Sequence, residues 1–224
     1  FTNSVTPTET DFRVIAEANV NVNGVYNSDT SAGFVSSGNT TNDGGVNFTQ
    51  INSSNTDELP AAHAQGSTAS DDLTATLAFK TDDADTENFD PFLEIDNTGD
   101  TDVNNVGIYF ETSDGSHGFG ADTSADGGDV QTSEVIQAIA FRDSDGNKIS
   151  TDDVSGGDSP SAQSVTNTVN ISAGTSENIE LDITPSALTE ADIAAAAGSA
   201  DPFSGGVDDI DLVDSISIGT DPES

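Results

Sequence analysis

The chain has 224 residues, 41 of them Asp or Glu against four Lys or Arg, for a formal net charge of −37. Arg13, Lys80, Arg142 and Lys148 are scattered singly, so no basic cluster is present to displace counterions from phosphates, which argues against nucleic acid and against an anionic membrane surface as partners. No apolar run approaches the roughly 18 residues of a membrane span, and the absence of Cys removes disulfides from the stability account.

A carboxylate excess with almost no Lys suits a secreted protein working in molar salt. The Debye length falls to roughly 3 Å at 1 M, which screens self-repulsion, while the carboxylates keep the surface hydrated. Disorder is the bland alternative for so acidic a chain. The 33% of hydrophobic residues recur at period two instead of scattering, and that pattern specifies strands.

The first ten residues, FTNSVTPTET, are polar, and FRVIAEANVNV follows with Phe12, Val14, Ala16, Ala18, Val20 and Val22 alternating as one strand. A start at Phe1 implies that a secretion leader has been removed. Residues 23–45 read as a Gly, Asn and Ser loop with one short strand at 33–36. Val46 to Ile51 is a short strand, and Asn52 to Asp72, with Pro60 and His63, is a polar connection. LTATLAFK places Leu73, Ala75, Leu77 and Phe79 on one face of a half-buried strand.

The acidic turn Asp82 to Asp90 leads into PFLEID, stopped by Asn97-Thr98-Gly99-Asp100. Asn104 to Glu111 is a strand with Val106, Ile108 and Phe110 on one face and Tyr109 on the opposite one, followed by a long Asp- and Gly-rich loop over 112–128. EVIQAIAFR reads as a strand that turns through Ser144-Asp145-Gly146-Asn147 into Lys148 and Ile149, the Asp-Gly pair being a strong hairpin signal. VTNTVNI and ENIELDI form a second hairpin around Ala173-Gly174. LTEADIAAAAG is the helical candidate, with Thr189 as cap, Glu190 and Asp192 in the first turn and Gly198 as stop. Ile210, Leu212, Ile216 and Ile218 close the chain as one strand with a kink at Asp214.

Nine or ten short strands, one short helix and no βαβ alternation give an all-β fold, an antiparallel jelly-roll or Greek-key β-sandwich. One domain over 11–224 with a 1–10 extension is the economical organisation.

The chain is poor in catalytic signals. His63 and His117 lie in no spaced metal motif, and Ser and Asp are too abundant for a triad to be read from their presence. Paired carboxylates of a glycoside hydrolase remain compatible with a chain in which carboxylates are everywhere. No cofactor is required. Calcium is the one ion its loops suit, the candidates being Asp143, Asp145 and Asn147 in DSDGN, the run Asp82, Asp83, Asp85, Glu87 and Asp90, and Asp96, Asp100 and Asp102. DSDGN departs from the twelve-residue calcium loop because Gly146 comes early and Val154 takes the twelfth place; a plain hairpin turn is the competing reading. Sequons stand at Asn39, Asn47, Asn52 and Asn170.

The opening FTNSVTPTETDFRVIAEANVNV resembles the mature N-terminus of haloarchaeal exported proteins that begin with Phe-Thr, a polar segment and an Arg-Val strand, here Phe1-Thr2, Asn3 to Asp11 and Arg13-Val14. More distantly it is similar to TasA and camelysin-like secreted proteins and to archaeal bundling-pilus subunits. The match covers about the first 22 residues and is architectural beyond them. It implies a jelly-roll domain whose N-terminal segment inserts into the next subunit as a donor strand, building filaments for biofilm or cell contact. Camelysins are described as peptidases, but this chain has no zinc motif onto which that activity maps.

The expectation is thus an extracellular, cell-surface, non-enzymatic filament subunit. It forms a homopolymer of identical copies, with other filaments or cell surfaces as further partners. Phe1, Val5 and Pro7 are the expected groove contacts, since the decapeptide offers few other apolar side chains. The rivals are a monomeric or surface-layer-associated, calcium-dependent binding module and, behind it, a secreted hydrolase.

Overall fold

The structure is a computed structural model that describes residues 7–16, 20–26, 59–69, 73–80, 85–111, 132–153, 163–188, 213 and 215–220. The expected strands and loops at 27–58 and 112–131, the helical candidate at 189–198, and Ile210 and Leu212 lie outside the described residues.

Ten strands hydrogen-bond in one continuous order that folds over into two layers. In the first layer β3 (Ala61–Ser67), β4 (Leu73–Lys80), β1 (Pro7–Ala16), β10 (Ser215–Gly219), β6 (Val103–Glu111) and β8 (Val169–Ile171) are successive neighbours. In the second, β2 (Val20–Gly24) is followed by β5 (Glu87–Asn97), β9 (Ser176–Ile183) and β7 (Ile139–Arg142). The corner is β3, whose Ala61–Gln65 pair with β4 while Gly66 and Ser67 pair with β2. Every strand pairing is antiparallel except that of β1 with β10. The fold is therefore an all-β antiparallel sandwich with a single short α-helix among the described residues, α1 (Thr132–Ala138).

Alternation builds the core between the layers. Leu73, Ala75, Leu77 and Phe79 of β4 and Val106, Ile108 and Phe110 of β6 are fully buried from one side. Ile95 of β5 and Ile179, Leu181 and Ile183 of β9 meet them from the other, while Asn178, Glu180 and Asp182 alternate outward. The Phe141 ring sits 6.3 Å from both Phe110 and Phe92, joining the layers. Burial of each such side chain is worth about 1.5–3 kcal/mol. Phe141→Ala is expected to lower unfolding free energy by about 3–5 kcal/mol, because a cavity is left as well as transfer energy lost; denaturant melts in molar salt measure it.

Several sequence expectations are corrected. The single strand over Phe12–Val22 is two, β1 and β2, lying in different layers; Val14, Val20 and Val22 are buried in both cases, so one alternating pattern serves two sheets. Asn52–Asp72 contains β3, missed because Ala61, Ala62, His63 and Ala64 are buried on both faces and show no period-two contrast. EVIQAIAFR is helix as far as Ala138 and strand only from Ile139. Its buried Val135, Ile136, Ala138 and Ile139, with Gln137 exposed, follow helical spacing; strand alternation would set Gln137 on the same face as Val135 and Ile139. The last turn of α1 carries no basic residue of its own; Lys148 Nζ donates to the Ile136 carbonyl at 2.8 Å instead, placing a cation at the negative end of the helix dipole.

VTNTVNI and ENIELDI are adjacent in sequence but not paired. β8 binds β6, and β9 binds β5 and β7, so the turn through Gly174 (φ +69°) carries the chain from one layer to the other. Asn97 organises this crossover. It is 2% exposed; its Nδ2 donates to the carbonyls of Thr101 at 2.8 Å and Ile171 at 2.9 Å, and its Oδ1 accepts from Gly99 N–H at 3.0 Å. Tyr109, on the opposite face of β6 from Ile108 and Phe110, is 7% exposed. Together with Val165 it covers Gly107, where an added Cβ would meet Tyr109 Oη and Val165 Cγ1 at 3.3 Å.

The layers are also strapped along the side where β6 and β7 face each other. Ile149 N–H donates to Phe141 O and Ile149 O accepts from Ile108 N–H, both at 2.9 Å, and Thr151 N–H donates to Ile108 O at 3.0 Å. Two residues further along β6, the buried Gln163 side chain stands in for a strand: Oε1 accepts from Phe110 N–H at 3.0 Å and Nε2 donates to Phe110 O. Edges are thereby covered that would otherwise invite pairing with another chain.

Lys148 belongs to the same strap, and burial pushes its ammonium below the ordinary value of 10.5, with Asp152 opposing the shift and Arg142 adding to it. A lowered folded value means that the unfolded chain holds more protons in the window between that value and 10.5, so stability rises with pH there. The stability of the wild-type protein relative to Lys148→Met is expected to increase from pH 8 to pH 10; paired urea melts at the two pH values read it.

Candidate assembly site

The N-terminal strand is placed by partners distant in sequence. Pro7 to Val14 pair in unbroken antiparallel register with Lys80 to Leu73 of β4. Arg13 to Ala16 pair in parallel with Ser215 to Ile218 of β10. Arg13 and Val14 therefore have strand neighbours on both sides, Thr74 and Ser215 for the first, Leu73 and Ile216 for the second. Val14 is 6% exposed, and Leu73, Ile216 and Ile218 are at most 1% exposed. Taken without β1, β4 and β10 are two facing edges one strand apart, a slot about 9–10 Å wide at the usual inter-strand spacing.

Pro7 is thus the first residue of β1, opposite Lys80 of its own chain. Phe1 and Val5 lie outside the described residues. The strand crosses the 10/11 boundary without interruption, since Thr10 faces Leu77 and Asp11 faces Thr76. Pro suits this position because its missing N–H costs least at a strand end. The walls of the slot, Leu73–Lys80 and Ser215–Ile218, are not identified by the sequence reading. Their alternation was visible, but parallel pairing between the first and last of the described strands leaves no local signature.

The DSDGN segment is a closed turn. Asp143 Oδ1 accepts from the backbone N–H of Asp145 at 3.1 Å and of Asn147 at 2.8 Å, and Oδ2 accepts from Asn147 Nδ2 at 3.0 Å. Gly146 adopts φ +81° with open space where a Cβ would stand, as an Asp-Gly hairpin requires. The carboxylate of Asp143, 7% exposed, is spent on backbone amides, while Asp145 is exposed. The hairpin's return arm is only an isolated bridge, Arg142 to Lys148. Ser144 Oγ donates to Glu177 Oε1 at 2.6 Å and anchors the turn on β9. Among the described residues, no three His, Cys, Asp or Glu side chains are grouped to hold a metal ion. Asp96 instead accepts from Asn23 Nδ2 at 2.7 Å, and Asp102 from Ala173 N–H at 2.9 Å; Asp82 and Asp83 lie outside the described residues.

Asn170 is exposed on β8, and its Oδ1 accepts from Asn105 N–H at 2.9 Å, where Asn105 takes φ +63° in the register shift between Val103 and Val106. Asn39, Asn47 and Asn52 lie outside the described residues. His63 is buried in β3 opposite Thr76, and His117 also lies outside the described residues.

No protein-family model matches the chain, and no curated protein or solved structure matches it. No helix among the described residues is long and apolar enough to cross a membrane.

Proposed function

We propose that the chain is the structural subunit of an extracellular filament, assembling head to tail by exchange of its N-terminal strand. The observation that carries this reading is the position of β1. The first strand fills a slot between β4 and β10, elements far from it in sequence, and contributes both backbone ladders and the buried Val14 to a sheet that is incomplete without it. A strand of the same sequence from a second copy offers the same register and the same side chains, which is the chemistry of β-strand addition. Such a contact joins two different surfaces and need not close, so it propagates as a fibre.

The exchanging segment then includes Pro7–Thr10 and continues into the rest of β1, with Phe1 and Val5 ahead of it. Two features of the sequence agree with the reading: the resemblance of the first 22 residues to haloarchaeal exported proteins and, more distantly, to TasA-like and archaeal bundling-pilus subunits, and an acidity suited to a surface bathed in molar salt. Electron microscopy of the purified chain in molar salt tests it. Filaments are expected, and a protein that stays monomeric at every concentration and salt tried refutes the proposal.

A further inference from the structure

We infer that the single chain is held back from polymerising by its own N-terminal strand, which occupies the slot that a neighbour's strand would fill, so that assembly waits on β1 leaving. This rests on the proposed filament function and adds a regulatory step to it. β1 is not a loosely apposed tail. Eight consecutive residues, Pro7 to Val14, are in register with β4, and four, Arg13 to Ala16, with β10. Val14, held from both sides by Leu73 and Ile216, is buried.

An incoming strand from a second copy takes over the register that β1 holds with Lys80 to Leu73. Because the incoming strand has the same sequence as the one it replaces, each bond broken within a chain is remade between chains. The exchanged and unexchanged states then differ little per contact, and protein concentration and the rate of release decide which is found. A freshly purified monomer is expected to assemble after a lag that preformed filament fragments abolish.

The direct test pins β1 in place. The chain has no Cys, and Asp11 and Thr76 are direct partners across the antiparallel ladder, a separation compatible with a disulfide. In Asp11→Cys with Thr76→Cys, the oxidised monomer is expected to form no filaments in molar salt over the time in which the reduced protein assembles. Adding reductant to the oxidised sample should start assembly. Glu9→Cys with Ala78→Cys, the next pair on the same face, repeats the measurement at a second position. Oxidised protein that assembles as fast as reduced protein at both positions overturns the inference and β1 exchange with it, while leaving the chain a filament subunit that joins by another contact. A wild-type chain that never assembles refutes the filament reading itself, and one that assembles equally well without residues 1–10 removes the N-terminal strand from it.

Discussion

A chain beginning at residue 11 is expected to fold and to remain monomeric under conditions where the full chain forms filaments. The truncation removes Phe1–Thr10, of which Pro7–Thr10 pair with Lys80–Leu77, and retains Asp11–Ala16 with both ladders around Arg13 and Val14. The buried Val14 stays in place, so the sandwich keeps its core. The loss is a few backbone hydrogen bonds at one end of one ladder, each worth about 0.5–1.5 kcal/mol net, so unfolding free energy should fall by about 1–4 kcal/mol. Assembly should fall from complete to undetectable, because the segment that engages a neighbour is gone and the Lys80–Leu77 edge has nothing to receive. A synthetic peptide of residues 1–16 should bind the truncated chain and not the full-length monomer. Sedimentation and electron microscopy read the first outcome and peptide titration the second; filaments from the truncated chain would remove the N-terminal strand from the assembly mechanism.

The largest single-residue loss of stability outside the aromatic core is expected at Asn97. Asn97→Leu keeps the approximate volume but deletes two donors and an acceptor. The Ile171 carbonyl, in a hydrogen bond that is itself buried, is left unpaired, as are Thr101 O and Gly99 N–H. A buried polar group deprived of its partner costs about 1–3 kcal/mol, so the total is expected to reach about 3 kcal/mol or more. Asn97→Asp separates the contributions. It keeps the acceptor for Gly99 but sets a carboxylate against two carbonyl oxygens, which raises the folded carboxyl value above the ordinary one of about 3.9. Its deficit should therefore be smallest in acid and grow as pH rises through the carboxylate range. Melts of the three proteins between pH 3 and pH 7 in molar salt decide this; an Asn97→Leu protein as stable as wild type would show that the crossover does not depend on the side-chain amide.

Strand positions that alternate over five or more residues were legible: Leu73–Phe79, Val106–Phe110 and Ile179–Ile183 lie where their pattern put them and with the expected face inward, but β4 is not half-buried, since Thr76 and Ala78 on its other face are covered too. Three kinds of segment were misread, for different physical reasons. β3 is buried on both faces, so its small residues carry no contrast. The stretch Val135–Ile139 was read with Gln137 on the face of Val135 and Ile139, whereas its apolar residues at 135, 136, 138 and 139 follow the 3.6 period, and its helix is completed by Lys148 from a distant strap. The turn at Gly174 looks like a hairpin because a hairpin and a crossover between layers use the same left-handed glycine; the hub that makes it a crossover, Asn97, lies more than seventy residues away.

The candidate site divides along the same line. Composition alone determined that the chain carries a large negative charge and lacks a basic surface, since both are sums over residues and independent of the fold. Alternation determined which side chains face the core, because a strand's geometry ties face to parity of position. Neighbourhood was decided by packing. That β1 lies between β4 and β10, parallel to the last of the described strands, follows from how two sheets close around one core, and no residue near Val14 encodes Ile216 as its partner. Long-range pairing costs loop-closure entropy that only the assembled core repays, so the slot exists as a property of the whole sandwich and was invisible in any window of the sequence.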